Sequence, residues 1–424
     1  MDLYSKGLPR KRNRTKVTFL GNFGQRNLGN EATLAAVLHN LQVRLPETDV
    51  NCICPNPGIT ATTHKIPAIP IHEVFVKAEL LHGNFLFKSL RKVILGVPME
   101  IYRWIKAFGV LRNTEMLIVP GTQMLSDNLT GPWGFPYLVF RWSVAARLQK
   151  CKLAFVSVGV GPLHHPMSKL FVKLALLLAN FRSYRDDSSR QYLRSIGFYR
   201  TSDRVYPDLA FSLPLPTIAR GYRSERDKCV IAVGVIDYRG QFGPSPNQLS
   251  GNDTYSRYID LVTDFVAWLL ENAYTVRLVI GDAAYDPQVL ADLKETLKKK
   301  GVRYQDRQLL AEPIETFEEL LLQLATSDFI VSPRFHNIVF GLLLNRPVMA
   351  LSYHEKFSAL LESLDLARFN LSIDHADAES LIERFCELTR DSHALEQKIS
   401  RRVSEYRAKL DEQYERIVNS LCAE

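Results

Sequence analysis

Arginine, histidine and asparagine stand together in Ser332-Pro-Arg-Phe-His-Asn337, between an apolar run ending at Val331 and an apolar helical pattern. A guanidinium on such a turn can bind a carboxylate or phosphate through two parallel hydrogen bonds. His336 is the one side-chain type whose ordinary pKa lies near neutral pH. The motif alone also admits a plainer reading, with Arg334 paired to a carboxylate at the core edge and His336 capping the helix. A second cluster, Arg182-Ser-Tyr-Arg-Asp-Asp187, ends another strand, and Asp186 and Asp187 are ordinary N-cap residues for the helix that follows. Arginines on two different domains would suit a small polyanion held between them.

Three further strand-to-helix turns carry glycine. The first runs from Gly21-Asn22-Phe-Gly24 through Asn27-Leu-Gly-Asn30-Glu31, where Asn30 is expected to cap a helix and an anion could rest on its N-terminus. Its spacing matches neither the dinucleotide fingerprint nor the phosphate-binding P-loop. The others are Pro120-Gly121-Thr and Ser157-Val-Gly159-Val-Gly161-Pro, the latter followed by His164 and His165. Adjacent histidines point apart and no acid or cysteine follows at ligand spacing, so no metal site is read.

These turns need a scaffold that ends strands where helices begin, and the chain supplies it. Short β-branched runs alternate with helical patterns throughout, as in parallel sheets wrapped by helices. Runs at 16–21, 49–54, 115–120 and 152–158 form a first unit, with helices at about 31–45, 135–149, 167–180 and 187–196. Residues 55–72 read as irregular, and two helical segments are expected at 85–112, separated at Pro98. Runs at 229–235, 275–280, 328–331 and 347–351 form a second unit after a linker near 213–228. The expected organisation is a basic tail over 1–15, Rossmann-like domains over 16–214 and 215–391, and a terminal helix over 392–424 with little apolar face. That helix is expected to pack back across the first unit. The cleft between the domains is where the strand ends of both sheets can meet one ligand.

With 424 residues, 46% hydrophobic and 23% charged, the chain is long enough for two globular domains. Its formal net charge of +8 is local rather than spread. Residues 1–16 hold six bases against Asp2, and 85–112 hold Lys88, Arg91, Lys92, Arg103, Lys106 and Arg112 against Glu100. A basic tail is poor evidence for nucleic-acid binding, and none is expected. The bases of 85–112 share helical faces with aromatic and aliphatic residues, which suits either peripheral contact with an anionic membrane or a solvated face on packed helices. The six cysteines form no disulfide or zinc pattern, and neither a membrane span nor a secretion signal is read, so a cytoplasmic protein is expected.

In order along the chain, Gly-Asn-Phe-Gly and Asn-Leu-Gly-Asn-Glu-Ala (21–32), Val-Pro-Gly (119–121), Ser-Val-Gly-Val-Gly (157–161), Tyr-Arg-Asp-Asp-Ser-Ser (184–189), Pro-Asp-Leu-Ala-Phe (207–211) and Ser-Pro-Arg-Phe-His (332–336) resemble the polysaccharide pyruvyltransferase family. The resemblance implies a GT-B-like fold and transfer of pyruvate from phosphoenolpyruvate to two hydroxyls of a saccharide as a cyclic ketal, in exopolysaccharide or cell-surface glycan synthesis. It implies Arg185 and Arg334, with Asn337 nearby, as phosphoenolpyruvate ligands beside His336. His336 would be the acid/base, Glu31 or Asp186 the second proton carrier, and phosphoenolpyruvate a co-substrate with no other cofactor. The glycine loops at Gly21, Asn22, Gly24, Asn27, Asn30, Gly121, Gly159 and Gly161 would face anion or acceptor. The acceptor could be lipid-linked, at the inner face of the cytoplasmic membrane. Two positions depart from the family's pattern: Asn30 replaces an aspartate of Gly-Asp-Glu, and Pro120 replaces a glycine. A nucleotide-sugar-dependent glycosyltransferase and a non-catalytic glycan-assembly protein share the expected architecture. The second domain shows no obvious ribose-binding carboxylate for the former.

Overall fold

The computed structural model describes residues 15–71, 85–128, 130–215, 229–238 and 251–422. The basic tail up to residue 14, residues 216–228 of the expected linker, and the side chains of Lys88, Arg91 and Lys92 lie outside the described residues.

The first domain comprises β1 (Lys16–Leu20), α1 (Leu28–Arg44), β2 (Asp49–Cys54), α2 (Pro57–His64), β3 (Ala68–Pro70), α3 (Phe85–Val110), β4 (Met116–Pro120), α4 (Phe135–Leu148), β5 (Lys152–Val158), α5 (Pro166–Leu178), β6 (Phe181–Tyr184), α6 (Asp187–Ser195) and β7 (Arg204–Val205). The second comprises β8 (Val230–Gly234), α7 (Gly251–Glu271), β9 (Thr275–Val279), α8 (Asp286–Lys299), β10 (Leu309–Leu310), α9 (Phe317–Ala325), β11 (Phe329–Ser332), α10 (Phe335–Leu343), β12 (Val348–Ser352), α11 (Glu355–Ser363), β13 (Asn370–Ser372) and α12 (Ala378–Arg390), and α13 (Ser392–Cys422) follows.

Among the described residues every pairing within the two sheets is parallel, in the orders β3-β2-β1-β4-β5-β6-β7 and β10-β9-β8-β11-β12-β13. Strands buried on both faces explain the unbroken apolar runs Met116–Pro120 and Val348–Ser352, which are buried at every position. Each sheet reverses its winding at its first strand, between β1 and β4 and between β8 and β11, and the crevices outside those strand ends are the binding positions of open α/β sheets. Strand ends of both domains carry the site residues described below. One continuous core joins the domains, from Leu34 and Leu38 of α1 through Phe211 to Phe340 of α10.

Four local readings are corrected. Helix α1 begins at Leu28 and is capped by Asn27, whose side chain accepts from the Asn30 amide at 3.2 Å. Asn30 instead donates its Nδ2 to the Asn22 carbonyl at 3.0 Å, a bond the aspartate usual in the family could not donate. The stretch 55–72 holds α2 and β3, and the overlooked signal was Asn56 as cap with Pro57 in the first turn. Residues 85–110 form one helix with Pro98 inside it, because Pro98 sits on the exposed side, where the unmade hydrogen bond faces water.

The fourth correction concerns α13, which has a buried apolar stripe including Leu395, Ile399, Val403, Leu410, Tyr414 and Ile417. It does pack across the first domain: Gln413 bonds Ser157 and Ser183, and the Tyr414 hydroxyl lies 2.9 Å from Ser212 Oγ. Its ion pairs Arg44–Asp411 and Arg204–Glu412 are partly exposed, and such pairs are worth at most about 1 kcal/mol each. Each buried large apolar side chain contributes roughly 1.5–3 kcal/mol, so the stripe dominates the docking. Among the described residues no helix is long and apolar enough to cross a membrane.

Candidate active site

Strand β6 ends at Tyr184 and delivers Arg185 into the cleft, where the Arg185 amide donates to the Val158 carbonyl at 3.1 Å. The guanidinium lies over Gly159, where a Cβ would come within 2.7 Å of Nη2, so this glycine is needed for close approach. Its acidic neighbours stand off, Asp186 Oδ2 at 3.5 Å and Asp208 Oδ2 at 3.6 Å. At those distances the N–H groups are not saturated and can still be offered to a ligand. Asp186 caps α6, accepting from the Ser189 amide at 2.7 Å and the Ser188 hydroxyl at 2.9 Å. Burial pushes its carboxyl up, but Arg185 and those donors outweigh burial and hold it below the usual carboxylate range.

On the second domain, β11 ends at Ser332, whose hydroxyl accepts from the Arg334 amide at 3.0 Å and fixes the turn into α10. The plainer reading of Arg334 is the one the structure shows. Nε donates to Asp286 at 2.9 Å and Nη2 to the other oxygen of the same carboxylate, while Nη1 faces Asp282 at 4.0 Å. Asp286 is fully buried, so the pair sits at the core edge. His336, in the first turn of α10, stacks on α1 of the other domain. A Cβ on Gly29 would come within 1.9 Å of its Nδ1. Nε2 is buried, has no hydrogen-bond partner and lies 3.9 Å from Asp208 Oδ1. Burial lowers the imidazole pKa to about 4; Asp208 opposes this, and Lys356, Arg185 and Arg334 reinforce it.

The sequence reading missed Lys356. After β12, His354 caps α11 by accepting the Lys356 amide on Nδ1 at 3.2 Å, which aims the lysine back into the cleft. Its Nζ lies 5.2 Å from the centroid of Phe335 and 5.7 Å from that of Tyr353. The Arg185 guanidinium lies 5.1 Å from the same Phe335 ring. Among the described residues no carboxylate lies within ion-pair distance of Nζ. Burial, then Arg185 and Arg334, push its pKa down to about 7. His354 is likewise lowered to about 4 by burial and by Lys356 and Arg185. The available signal was position: Tyr353-His-Glu-Lys356 follows its strand as Arg334-Phe-His336 follows the neighbouring one. Asp208, inside a motif already noticed, was not singled out either.

Other expected residues sit elsewhere. Glu31 accepts from the Gly24 amide at 2.8 Å and bonds His64 Nε2 at 2.9 Å. Residues two apart on a helix point to different sides, and Gly29 is the one facing His336, so Glu31 is not brought to the histidine. Asn337 is fully buried against Gly234 and Ser332 and does not reach the cleft; neither its Oδ1 nor its Nδ2 has a partner. Gly21 gives room to the Phe23 ring, Gly24 adopts φ of +75°, and Gly121 passes 2.7 Å from the Ser157 carbonyl, measured from its missing Cβ. The Asn27 side chain donates to Asp282 at 3.4 Å, and Leu28 N bonds Gly281 O, which ties this loop to the second domain. Gly159 and Gly161 do line the cleft. His165 caps α5 and His164 Nε2 bonds Asn128 at 2.9 Å.

A cleft of about 700 Å³ between the domains is lined by Gln123, Asn128, residues 159–162, Arg185, Asp186, Tyr192, residues 352–356, Asn370 and Asp374. A second cavity of about 570 Å³ shares Arg185, Asp186, Ser188 and Lys356 with it and adds Asp208, Phe335, Arg402 and Lys409. Helices α6, α10 and α11 all begin here, so their positive ends face the same space. Arg185 and Lys356 let the arrangement hold a compact anion between two domains, with His354 in the cleft wall, while Arg334 and His336 are not among the lining residues of these two cavities.

Solved structures of low sequence identity share this architecture over nearly their whole length. The S. aureus MnaA–UDP co-structure is 14% identical, covers 96% of this chain and 95% of its own, and superposes with a TM-score of 0.59. The UDP-GlcNAc 2-epimerase from Neisseria meningitidis bound to UDP-GlcNAc is 14% identical over 91% of this chain and 94% of its own, with a TM-score of 0.56. A glycosyltransferase from Rickettsia africae ESF-5 is 12% identical over 96% and 99%, with a TM-score of 0.55. These likenesses fix the fold as two Rossmann-like domains of the GT-B type. No curated protein matches the chain in sequence. The family model for polysaccharide pyruvyl transferase matches residues 27–355, which contain Arg185, Asp208, Arg334 and His336 and end one residue before Lys356, so the chain belongs to the polysaccharide pyruvyl transferase family.

Proposed function

We propose that the chain transfers the pyruvyl group of phosphoenolpyruvate to two hydroxyls of a saccharide, forming a cyclic ketal and releasing phosphate. The observation that supports this reading most is the convergence of Arg185 and Lys356 on one ring, Phe335, with their nearest acids held off. Two buried like charges are costly unless an anion joins them, and phosphoenolpyruvate brings a carboxylate and a phosphate.

In this scheme C3 of the enol takes a proton, C2 becomes electrophilic, and the first sugar hydroxyl adds to it while losing its own proton. The C2–O bond to phosphate then breaks, the second hydroxyl closes the ring, and its proton leaves with the phosphate. Arg185 and Lys356 bind the anionic groups and stabilise the departing phosphate, with Arg334 Nη1 as a third contact. His336 Nε2, unbonded and facing Asp208, carries a proton to or from the reacting atoms. Asp186, held ionised, holds the turn that carries Arg185, and the second proton carrier is assigned to Asp208 or the acceptor's own hydroxyl chain. The acceptor is a saccharide, lipid-linked in the form we favour, and the reaction belongs to surface-glycan assembly.

Incubation with phosphoenolpyruvate labelled in the pyruvyl carbons and a panel of saccharides, free and lipid-linked, tests this. Label should enter one acceptor in step with phosphate release. Label transfer from a UDP-sugar instead would favour glycosyl transfer on the same fold.

A further inference from the structure

The α3–α4–α5 layer that covers one face of the first sheet is apolar on its outer side as well as its inner one. On α3, Val97, Ile101 and Ile105 recur every fourth residue and are 54%, 56% and 63% exposed, with Tyr102 beside them. The inward side of the same helix is met by Ala107, and Leu111 follows it, both fully buried, so the outward residues serve no packing against the sheet. Trp133, 66% exposed just before α4, packs edge-on against Tyr137 and Phe171 at 5.4 and 5.6 Å. Tyr137 in turn accepts a hydrogen bond from Trp104 of α3 at 3.2 Å. The rings thus join the outer side of α3 to α5, which exposes Leu170 and Leu177, two turns apart on one side. Apolar exposure this continuous marks an interaction surface.

Its charge selects the partner. Lys106 and Arg112 follow the apolar stripe, Arg103 is turned inward onto Glu100, and three more bases precede the stripe in the same helix sequence. Glu100, the one acid of 85–112, is turned onto Tyr137, Arg141 and Arg103 at 2.8, 3.2 and 3.3 Å. A second copy docked through the same face would set bases against bases. The geometry points to this face as the seat of an anionic lipid bilayer, with the isoleucines and Trp133 entering the acyl boundary and the bases meeting headgroup phosphates. The surface stands apart from the cleft and does not depend on the reaction assigned to it.

Sedimentation of the full chain with vesicles of equal parts phosphatidylglycerol and phosphatidylcholine, and with pure phosphatidylcholine, tests the proposal. The chain should pellet with the anionic vesicles, less so at high salt, and Ile101→Glu with Ile105→Glu should weaken partition by roughly ten-fold or more. Trp133 emission should shift to the blue on the vesicles, and Trp133→Phe should remove the shift. If the double variant melts early, Ile105→Ser gives the same comparison. Failure to pellet, pelleting that these variants retain, or a wild-type dimer that the double variant dissolves would each overturn it.

Discussion

Arg185, from the end of β6, and Lys356, from the first turn of α11, come from different domains and stand 5.1 and 5.2 Å from the centroid of the same ring, Phe335. The aromatic face offsets part of their repulsion. Asp186 and Asp208 compensate Arg185 from 3.5 and 3.6 Å, and in the proposed reaction an anion would bridge the two cations.

Binding of phosphoenolpyruvate should take up protons. Burial, then Arg185 and Arg334, push the Lys356 pKa down to about 7, so an anion that favours its charged form should draw a proton from solution near neutral pH. His336, lowered to about 4, should move upward too. Affinity should fall as pH rises above 7. Calorimetry in buffers of different ionisation enthalpy reads the uptake directly, and a heat independent of buffer would count against the linkage.

Lys356→Met should abolish turnover yet stabilise the ligand-free chain. The folded pKa lies below the usual lysine value, so folding must hold a disfavoured charge below pH 7, and that cost shrinks as pH rises toward the unfolded value. Thermal melts should show a larger gain for the variant at pH 6 than at pH 9.

Gly29→Ala should cut kcat with little change in the KM for phosphoenolpyruvate. The new methyl would meet the His336 ring, not the cations. Gly159→Ala meets Arg185 instead and should raise that KM. Steady-state kinetics of the two variants separate proton transfer from anion binding.

Asp286→Asn should destabilise the second domain by about 3–5 kcal/mol, because Arg334 would keep its charge without its buried partner. Asp286→Asn combined with Arg334→Met should recover much of that loss. Denaturant unfolding of the single and double variants measures the coupling.

The two sheets were legible in sequence because strands buried on both faces read as unbroken apolar runs, and the placement of Arg185 and His336 just beyond strand ends followed from the same runs. Glu31, expected as a second proton carrier from the motif it stands in, is not brought to His336. The i to i+2 step on α1 sends it to His64 while Gly29 faces His336. Asn337, one position beyond His336, points into the core. Lys356 carries no local mark, and the meeting of α11 with α6 across the cleft is what brings it near Arg185. Arg334 shows the opposite limit: its type suggested a ligand, but Asp286, 48 residues away in sequence, takes two of its nitrogens.

Calorimetric titration of the intact chain and of Arg185→Leu with phosphoenolpyruvate at pH 7 bears most directly on the site. The intact chain should bind with measurable affinity, and the variant should bind at least about a hundred-fold more weakly, given the charge-assisted bonds lost. No binding by the intact chain, or equal binding by the variant, would contradict the assignment of the Arg185–Lys356 pair as the pyruvyl donor site.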